Sequence, residues 1–174
     1  GAYLRRKLRA GDKVRFEERT TVDGMESQIL ELFQNTLGQS KVDYGEFQQL
    51  GSDYFAHVLS AMGDKAQFML CWQQNNLVGF QLALVGRDRL LAKQIGMKYP
   101  EARELNLYFL CWVKLIEYAI ANNIRTIEMG ATTYATKLLF GGYLERRWLH
   151  FRFRRPLVNR LLGRLGRFLD FENN

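Results

Sequence analysis

Tyr134 and Lys137 have the residue types and the spacing to do chemistry together. Side chains three residues apart on a helix project from one face, so the two groups could act on the same molecule. A lysine ammonium could hold a phosphate or stabilise a developing oxyanion, and a tyrosine hydroxyl could donate a proton to a leaving group. A packed tyrosine beside a solvated lysine would show the same spacing, so the pattern alone leaves both interpretations open.

Glu128 is a third candidate for catalysis, because it interrupts the otherwise apolar segment TIEMG. Alternation along a strand points Glu128 away from the side taken by Ile127 and Met129. In that position its carboxylate could act as a general base on a substrate in a cleft. A solvated edge residue or a structural ion pair fits the pattern equally well.

The elements that must position these residues are predicted from hydrophobic periodicity and turn residues. Strands are expected at 13–19, 66–74, 77–85, 89–97, 126–130 and 148–154. Helices are expected at 2–9, 25–37 with Asp23 as the N-cap, 44–62, 105–121, 134–140 and 157–169. The three strands between 66 and 97 are joined by short turns, which predicts an antiparallel meander.

The segment 105–121 is apolar around most of its circumference, so we expect a buried helix with Ile120 among the inward residues. A helix that crosses a sheet makes the next strand, a short buried one at 126–130, parallel to its neighbour. Residues 1–174 are therefore expected to form one α/β domain. Its basic helical start, YLRRKLR, is also consistent with the C-terminal part of a longer protein.

Composition narrows the possible classes of protein. The 174 residues are 47% hydrophobic and 25% charged, as in an ordinary soluble globular domain, and no apolar run is long enough to span a bilayer. Cys71 and Cys111 both stand in apolar surroundings, which predicts buried, unreactive thiols. With two histidines and no CxxC pair, we expect no metal site.

The net charge of +7 is concentrated at the two ends of the chain. Residues 1–9 hold four basic side chains, residues 146–167 hold eight arginines and no acid, and residues 10–145 hold 13 basic against 16 acidic residues. Such concentrated charge usually meets phosphates or an anionic surface. The amphipathic C-terminal segment could lie on an anionic membrane, or it could cover the sheet with its arginines in water.

The element order β-α-α-β-β-β-α-β-α-β resembles the GNAT acyltransferase fold, a mixed sheet with an antiparallel meander, a parallel crossover and helices on both faces. Two segments resemble the Fem-type (FemAB-like) acyltransferases more narrowly. YLRRKLR is similar to the basic helix that precedes their final GNAT-like domain. The segment IEMGATTYATKLLFGG is similar to their strand–turn–helix pattern, here with Gly130, Tyr134, Lys137, Phe140 and Gly141.

The resemblance implies a cytoplasmic enzyme. The basic C-terminal segment adds the alternative of a location peripheral to the inner face of the membrane. The enzyme would move an acyl or aminoacyl group from acyl-CoA, such as acetyl-CoA, or from an aminoacyl-tRNA to an amine. Tyr134, Lys137 and Glu128 would then be catalytic. The donor phosphates would bind beside Gly96, Met97, Lys98, Tyr99 and Asn106. The sequence names neither the acceptor amine nor an oligomeric state.

One departure from the family pattern supports an alternative function. GNAT enzymes carry a Gln/Arg-x-x-Gly-x-Gly/Ala loop whose backbone N–H groups bind the donor pyrophosphate. The corresponding junction here, GMKYPEARELNLYF, has Gly96 but no second glycine. The alternative is a GNAT-like binding module without catalysis that recognises a polyanion, a polymer or a protein partner.

Overall fold

The structure is a computed structural model that describes residues 2–9, 11–39, 50–130, 133–146 and 154–165, with 161–165 described by their backbone alone. Two compact units divide the chain, Gly1–Phe140 and Gly141–Asn174. The first unit contains the sheet and six of the described helices; the second contains the last of them. Whether residues 1–174 act as one domain stays a prediction.

A five-stranded mixed sheet forms the frame of the first unit. Its strands are β1 (Arg15–Arg19), β2 (Ala66–Gln73), β3 (Asn76–Val85), β4 (Arg89–Met97) and β5 (Thr126–Glu128), and they lie in that order across the sheet. Strands β1 to β4 are antiparallel to their neighbours, and β4 and β5 are parallel. The predicted meander and the predicted parallel crossover are both confirmed.

Helices cover both faces of this sheet. They are α1 (Ala2–Leu8), α2 (Glu26–Gly38), α3 (Tyr54–Met62), α4 (Glu101–Glu104), α5 (Leu107–Ala121) and α6 (Tyr134–Leu139), and the second unit adds α7 (Pro156–Leu165). Phe68 and Phe80 pack with α2 and α3 on one face, because Ile29 and Phe55 belong to the same buried cluster. Met69 on the other face packs with Trp112 of α5. The predicted fold class, α/β with a GNAT-like sheet, is confirmed.

The two cysteines lie on the α5 face of the sheet. Cys71 and Cys111 are free and fully buried, with their Sγ atoms 3.5 Å apart. Burial raises the pKa of the Cys71 thiol well above its ordinary value, so the thiolate needed for reaction is disfavoured. The prediction of buried thiols is confirmed.

Several predicted boundaries on the α2–α3 face were wrong. Met25, not Asp23, is the N-cap of α2, because the Asp23 backbone N–H donates to the Thr21 hydroxyl and the chain turns before the helix. Helix α3 begins at Tyr54 rather than at Tyr44, and residues 44–49 lie outside the described residues. The predicted strand 148–154 lies outside them up to residue 153, and Arg154 is in a bend.

The helix predicted at 105–121 begins two residues later, at Leu107, and a short helix that was not predicted, α4, precedes it. Asn106 has a left-handed backbone, with φ of 51°, which separates α4 from α5. Ile120 is 72% exposed, not inward, because the buried side of α5 is instead formed by residues such as Leu107, Cys111 and Leu115. Strand β5 is shorter than predicted and only partly buried, since it pairs with a single neighbour at the end of the described sheet.

Candidate functional site

A notch opens where β5 leaves the sheet. The parallel ladder joins only three residue pairs, from Arg89↔Thr126 to Leu91↔Glu128, while β4 continues to Met97. The register between β3 and β4 also shifts at Leu82/Ala83, which marks a bulge in the ladder beside the point of divergence. We call the β4 edge at 92–97, which no described strand pairs on that side, the β4–β5 notch.

Lys137 is the one buried charged side chain among the described residues, with 7% of its surface exposed. Its Nζ donates a hydrogen bond of 3.0 Å to the carbonyl oxygen of Gly130, two residues after β5 ends. The same Nζ lies 5.9 Å from the ring centroid of Trp112 on α5, within cation–π range. Helix α6 thus returns a lysine to the point where β5 diverges from β4.

Burial of the amine has an electrostatic consequence. Loss of hydration disfavours the ammonium form and lowers the pKa of Lys137 below its ordinary value. Between that lowered pKa and the unfolded value, the folded protein binds fewer protons than the unfolded chain. The free energy of unfolding must therefore rise with pH in this window, because its slope has the sign of protons bound by the unfolded state minus those bound by the native state.

This sign gives a prediction for Lys137→Met. The wild-type protein should gain stability as the pH rises towards the ordinary lysine pKa of about 10.4, and the variant should lack the part of that gain that Lys137 causes. Urea unfolding at a series of pH values measures the difference. Lys114→Met is the matched control, since Lys114 also lies 5.8 Å from an aromatic ring but is partly exposed. Equal pH slopes in both variants would contradict the prediction.

Tyr134 begins α6, one helical turn before Lys137. Its side chain is 49% exposed, while Lys137 is buried. The two residues therefore lie on the same helix but differ in their access to solvent. An accessible hydroxyl can reach a ligand from the solvent side while the lysine meets it from the protein side. The solvated interpretation of Lys137 is wrong, and the catalytic role of Tyr134 stays a prediction.

Glu128 ends β5 and forms an ion pair with the first residue of β4. Arg89 Nη1 donates to Glu128 Oε1 at 2.8 Å. This ion pair links the two parallel strands along their short ladder. Ile127 and Met129 pack with the α5-face cluster, as the alternation predicted. The ion-pair interpretation of Glu128 is thereby supported, and its role as a general base stays a prediction.

Two substitutions separate these roles. Glu128→Gln and Arg89→Gln break the same partly exposed pair, so each should cost less than about 1 kcal/mol of stability. Without a direct role in proton transfer, both should lower kcat/KM equally, by less than about tenfold. Steady-state kinetics beside thermal melts measures this. A loss of about 100-fold or more in Glu128→Gln alone would instead show that its carboxylate acts as the base.

The predicted donor-phosphate residues lie at the far end of β4. Gly96 faces α2 so closely that a Cβ there would lie 2.7 Å from the Phe33 backbone nitrogen and 2.8 Å from the Leu32 carbonyl carbon. The Met97 backbone N–H, on the notch side of β4, donates to the Thr36 hydroxyl at 2.7 Å. Gly96 and Met97 therefore hold α2 against this end of β4.

The next residues place charge just beyond β4. Lys98 forms an ion pair of 3.1 Å with Glu101, and Arg103 stacks on Tyr99 with its guanidinium 5.3 Å from the ring centroid. Partial burial raises the pKa of Tyr99. Hydrogen bonding within its own residue and then from Lys98 lowers the pKa of Glu101. With Glu104, which directly follows Arg103, the segment carries two cations and two carboxylates.

Asn106 contributes through its backbone. Its left-handed conformation starts α5, and its carbonyl accepts the N–H groups of Phe109 and Leu110 at 3.0 and 3.3 Å. The carboxyl ends of parallel strands meet at the same edge of a sheet. The predicted residues thus form two groups at one edge, Glu128–Lys137 after β5 and Gly96–Asn106 after β4.

Sequence patterns missed two residues of this site. Trp112 lies against Lys137, yet in sequence it is one apolar residue in an apolar helix. Its indole Nε1–H is buried without a hydrogen-bond partner among the described residues. Thr36 caps the β4 edge from a helix 61 residues earlier. Neither contact is local, so no periodicity signals it.

Two further findings concern the described part of the chain. No group of three His, Cys, Asp or Glu side chains there is placed to hold a metal ion. No helix there has the length and apolar character to cross a membrane.

Comparison with known proteins relates this arrangement to others. Residues 2–138 match the family model described as an acetyltransferase (GNAT) domain. A "possible acetyltransferase" from Clostridium difficile 630 has a similar fold, with a TM-score of 0.59 at 13% identity over 82% of this chain and 97% of its own. No protein with a curated description matches.

Two more solved structures share the fold. One is a "predicted acetyltransferase with acetyl-CoA" from Clostridium acetobutylicum, with a TM-score of 0.61 at 11% identity over 80% of this chain and 96% of its own. The other is an aminoglycoside acetyltransferase from an uncultured soil metagenomic sample, in complex with sisomicin, with a TM-score of 0.59 at 10% identity over 83% and 98%. At these identities the likeness is one of fold.

Proposed function

The chain belongs to the acetyltransferase (GNAT) domain family, and from that premise we propose that it transfers an acyl group from acyl-CoA to an amine, with the donor in the β4–β5 notch. Acetyl-CoA is the simplest such donor, and the solved relative from Clostridium acetobutylicum is described with it. The proposed reaction takes place in the cytoplasm, as the family resemblance implies.

The burial of Lys137 is the observation that carries this proposal. A charged group is costly to bury, and one held at a strand end by a carbonyl and an aromatic ring calls for a functional explanation. An ammonium has three N–H donors, and Gly130 accepts one. The remaining donors can stabilise negative charge on a donor oxygen, and in a site of low dielectric this is worth more than in water.

The free edge of β4 supplies a place for the donor's chain. Backbone groups alternate sides along a strand, so Ile95 presents its N–H and C=O on the side where the Met97 N–H meets Thr36. An unpaired strand edge binds extended chains that carry amides. The pantetheine arm of acyl-CoA is such a chain, with two amides between its thioester and its phosphates.

The cations beyond β4 suit the phosphates of the same donor. Lys98 is partly exposed at the end of the strand, and Arg103 is exposed above Tyr99. A bound phosphate would take Lys98 from its pair with Glu101. Lys98 and Arg103 lie in the segment where the second glycine of the family's loop is missing. Their charges would therefore bind the pyrophosphate in part, as the backbone N–H groups of that loop do in other GNAT enzymes.

The chemical step then assigns roles to the remaining residues. The neutral amine of the acceptor attacks the thioester carbon, a C–N bond forms and the C–S bond breaks. Lys137 stabilises the charge that develops on oxygen, and Tyr134 donates a proton to the leaving thiolate. The proton that the amine loses passes to a base, the role predicted for Glu128. The acceptor is proposed only as a primary amine.

Ligand-induced stabilisation tests the donor directly. A donor at 100 times its Kd should raise the free energy of unfolding by about 2.7 kcal/mol, and we expect acetyl-CoA to do so. The Lys98→Gln, Arg103→Gln double variant should need more than about ten times as much acetyl-CoA for the same shift. A Lys65→Gln, Arg87→Gln variant, with the same charge change at exposed positions, is the control. Absence of a shift in the wild type would contradict acyl-CoA as donor.

The second candidate donor is an aminoacyl-tRNA, which the Fem-type resemblance implies and the geometry of α1 favours. Lys7 Nζ lies 5.6 Å from the ring centroids of both Tyr3 and Phe109, so the basic helix packs on α5. Phe109 in turn contacts Phe140, just after α6, with centroids 6.1 Å apart. Binding to tRNA would fall steeply with salt, by a log–log slope of several, and much more steeply than binding to acyl-CoA, which has fewer phosphates.

A further inference from the structure

The second unit carries a charge of one sign over a long stretch. Residues 146–167 contain eight arginines and no acid, and the described part includes Arg154, Arg155 and Arg160, all exposed. An arginine run without carboxylates has few partners within its own segment. It attracts a surface of negative charge instead.

Large apolar side chains are exposed in the same unit. Leu157 in the first turn of α7 is 75% exposed, and Tyr143 and Leu144 are 81% and 65% exposed. Scattered apolar residues are common on protein surfaces. Apolar side chains beside a basic run favour partners that carry both apolar and anionic groups. The exposed arginines and apolar side chains together suit a partner that has anionic groups next to an apolar layer.

The sequence of α7 arranges these two properties on one helix. At 100° per residue, the positions of Leu157, Val158, Leu161, Leu162 and Leu165 cover an arc of about 140°. The positions of Arg160 and Arg164 fall on the adjoining arc, next to that of Leu157. This is the pattern of a helix that lies in the plane of a membrane interface, with leucines in the acyl region and arginines at the phosphates.

We propose that α7, with Arg154 and Arg155 before it, docks the protein on the surface of an anionic phospholipid bilayer. The helix has ten residues and contains Gly163, so by itself it is marginal in water. An interface that buries its apolar arc would stabilise it. The occupant is a lipid surface because the apolar and cationic positions adjoin along one helix, and both are satisfied at once only where phosphates border hydrocarbon.

Vesicle cosedimentation with the full chain tests the charge requirement. Phosphatidylcholine vesicles with about 30% phosphatidylglycerol should bind the protein at least about tenfold more tightly than pure phosphatidylcholine, and about 0.5 M salt should remove the difference. A triple variant should lose this preference: Arg154→Gln, Arg155→Gln and Arg160→Gln. A control with the same charge change should keep it: Lys13→Gln, Lys65→Gln and Arg87→Gln.

A second pair of variants tests the apolar requirement. Leu157→Ser should weaken binding to the anionic vesicles at least about fivefold. Ile120→Ser, at a position 72% exposed on α5, should leave it unchanged. Equal binding by both triple variants, or no binding to anionic vesicles, would overturn the proposal.

The other occupants of this helix are also outcomes of the test. A fall in melting temperature in Leu157→Ser but not in Ile120→Ser would mean that α7 covers the protein's own core. A change in oligomeric state by light scattering would mean that α7 meets a second copy of the chain. Either result overturns docking on lipid.

Discussion

Replacement of Lys137 by methionine is expected to lower kcat/KM for acyl transfer by about 100-fold to 1,000-fold. Methionine keeps most of the aliphatic length that packs beside Trp112 but has no charge and no N–H for a donor oxygen. The loss should appear mainly in kcat, because a charge that develops only in the transition state is stabilised only there. Initial-rate kinetics with a saturating primary amine measures both constants.

The fold of this variant should survive, which makes the kinetic result interpretable. The substitution removes a buried charge together with its hydrogen bond to Gly130, and these two effects on stability oppose each other. Lys114→Met is again the control, since Lys114 lies near an aromatic ring and bonds an acceptor, Glu117, at a partly exposed position. If kcat/KM of Lys137→Met stays within about threefold of the wild type, Lys137 has no catalytic role.

Gly96→Ala is expected to destabilise the protein by about 3 kcal/mol, the largest effect we expect from one added methyl group. The new carbon would overlap a carbon of the Phe80 ring as well as the backbone of α2. A ring can turn aside, but the Phe33 nitrogen cannot move without its helix. Helix α2 would have to lift from β4 and release the hydrogen bond between Thr36 and Met97.

Gly38→Ala is the matched control, with the same chemical change on the same helix. A Cβ at Gly38, the last residue of α2, would meet nothing within 4 Å. Alanine there should raise stability by about 0.5 to 1 kcal/mol, since it lowers the entropy of the unfolded chain. Urea unfolding of the two variants should therefore give shifts of opposite sign. Equal shifts would show that the approach of α2 to Gly96 is not tight.

Sequence patterns predicted the strands and helices that are determined by residues close to one another in the chain. The strands β2 to β4 follow from apolar runs bounded by short turns, such as the one at Gln74, where φ is 54°. Helix starts were less predictable, because the Thr21 hydroxyl accepts the Asp23 backbone N–H and forms a turn where the sequence also offered a helix cap. The division between α4 and α5 depends on one residue, Asn106, whose left-handed backbone nothing in its neighbours' periodicity required.

The site shows the same limit more sharply. Spacing placed Tyr134 and Lys137 on one helix, but burial of the lysine depends on Trp112, which is 25 residues away along the chain. Gly96 was predicted to admit a phosphate, whereas in the structure its missing side chain admits the backbone of α2. Local sequence thus identifies candidate residues, but the environment of each residue is often set by an element that is distant along the chain.

The edge of β4 at 92–97 away from β3, which no strand in the described part of the chain pairs, also affects the self-association of the protein. A strand that lacks a neighbour can recruit the strand of another molecule and begin aggregation. Thr36 already occupies the Met97 N–H, and the exposed Lys93 stands at the register shift, where a charge opposes the approach of a second strand. A donor bound along the rest of this edge would therefore protect the protein from self-association as well as serve its reaction.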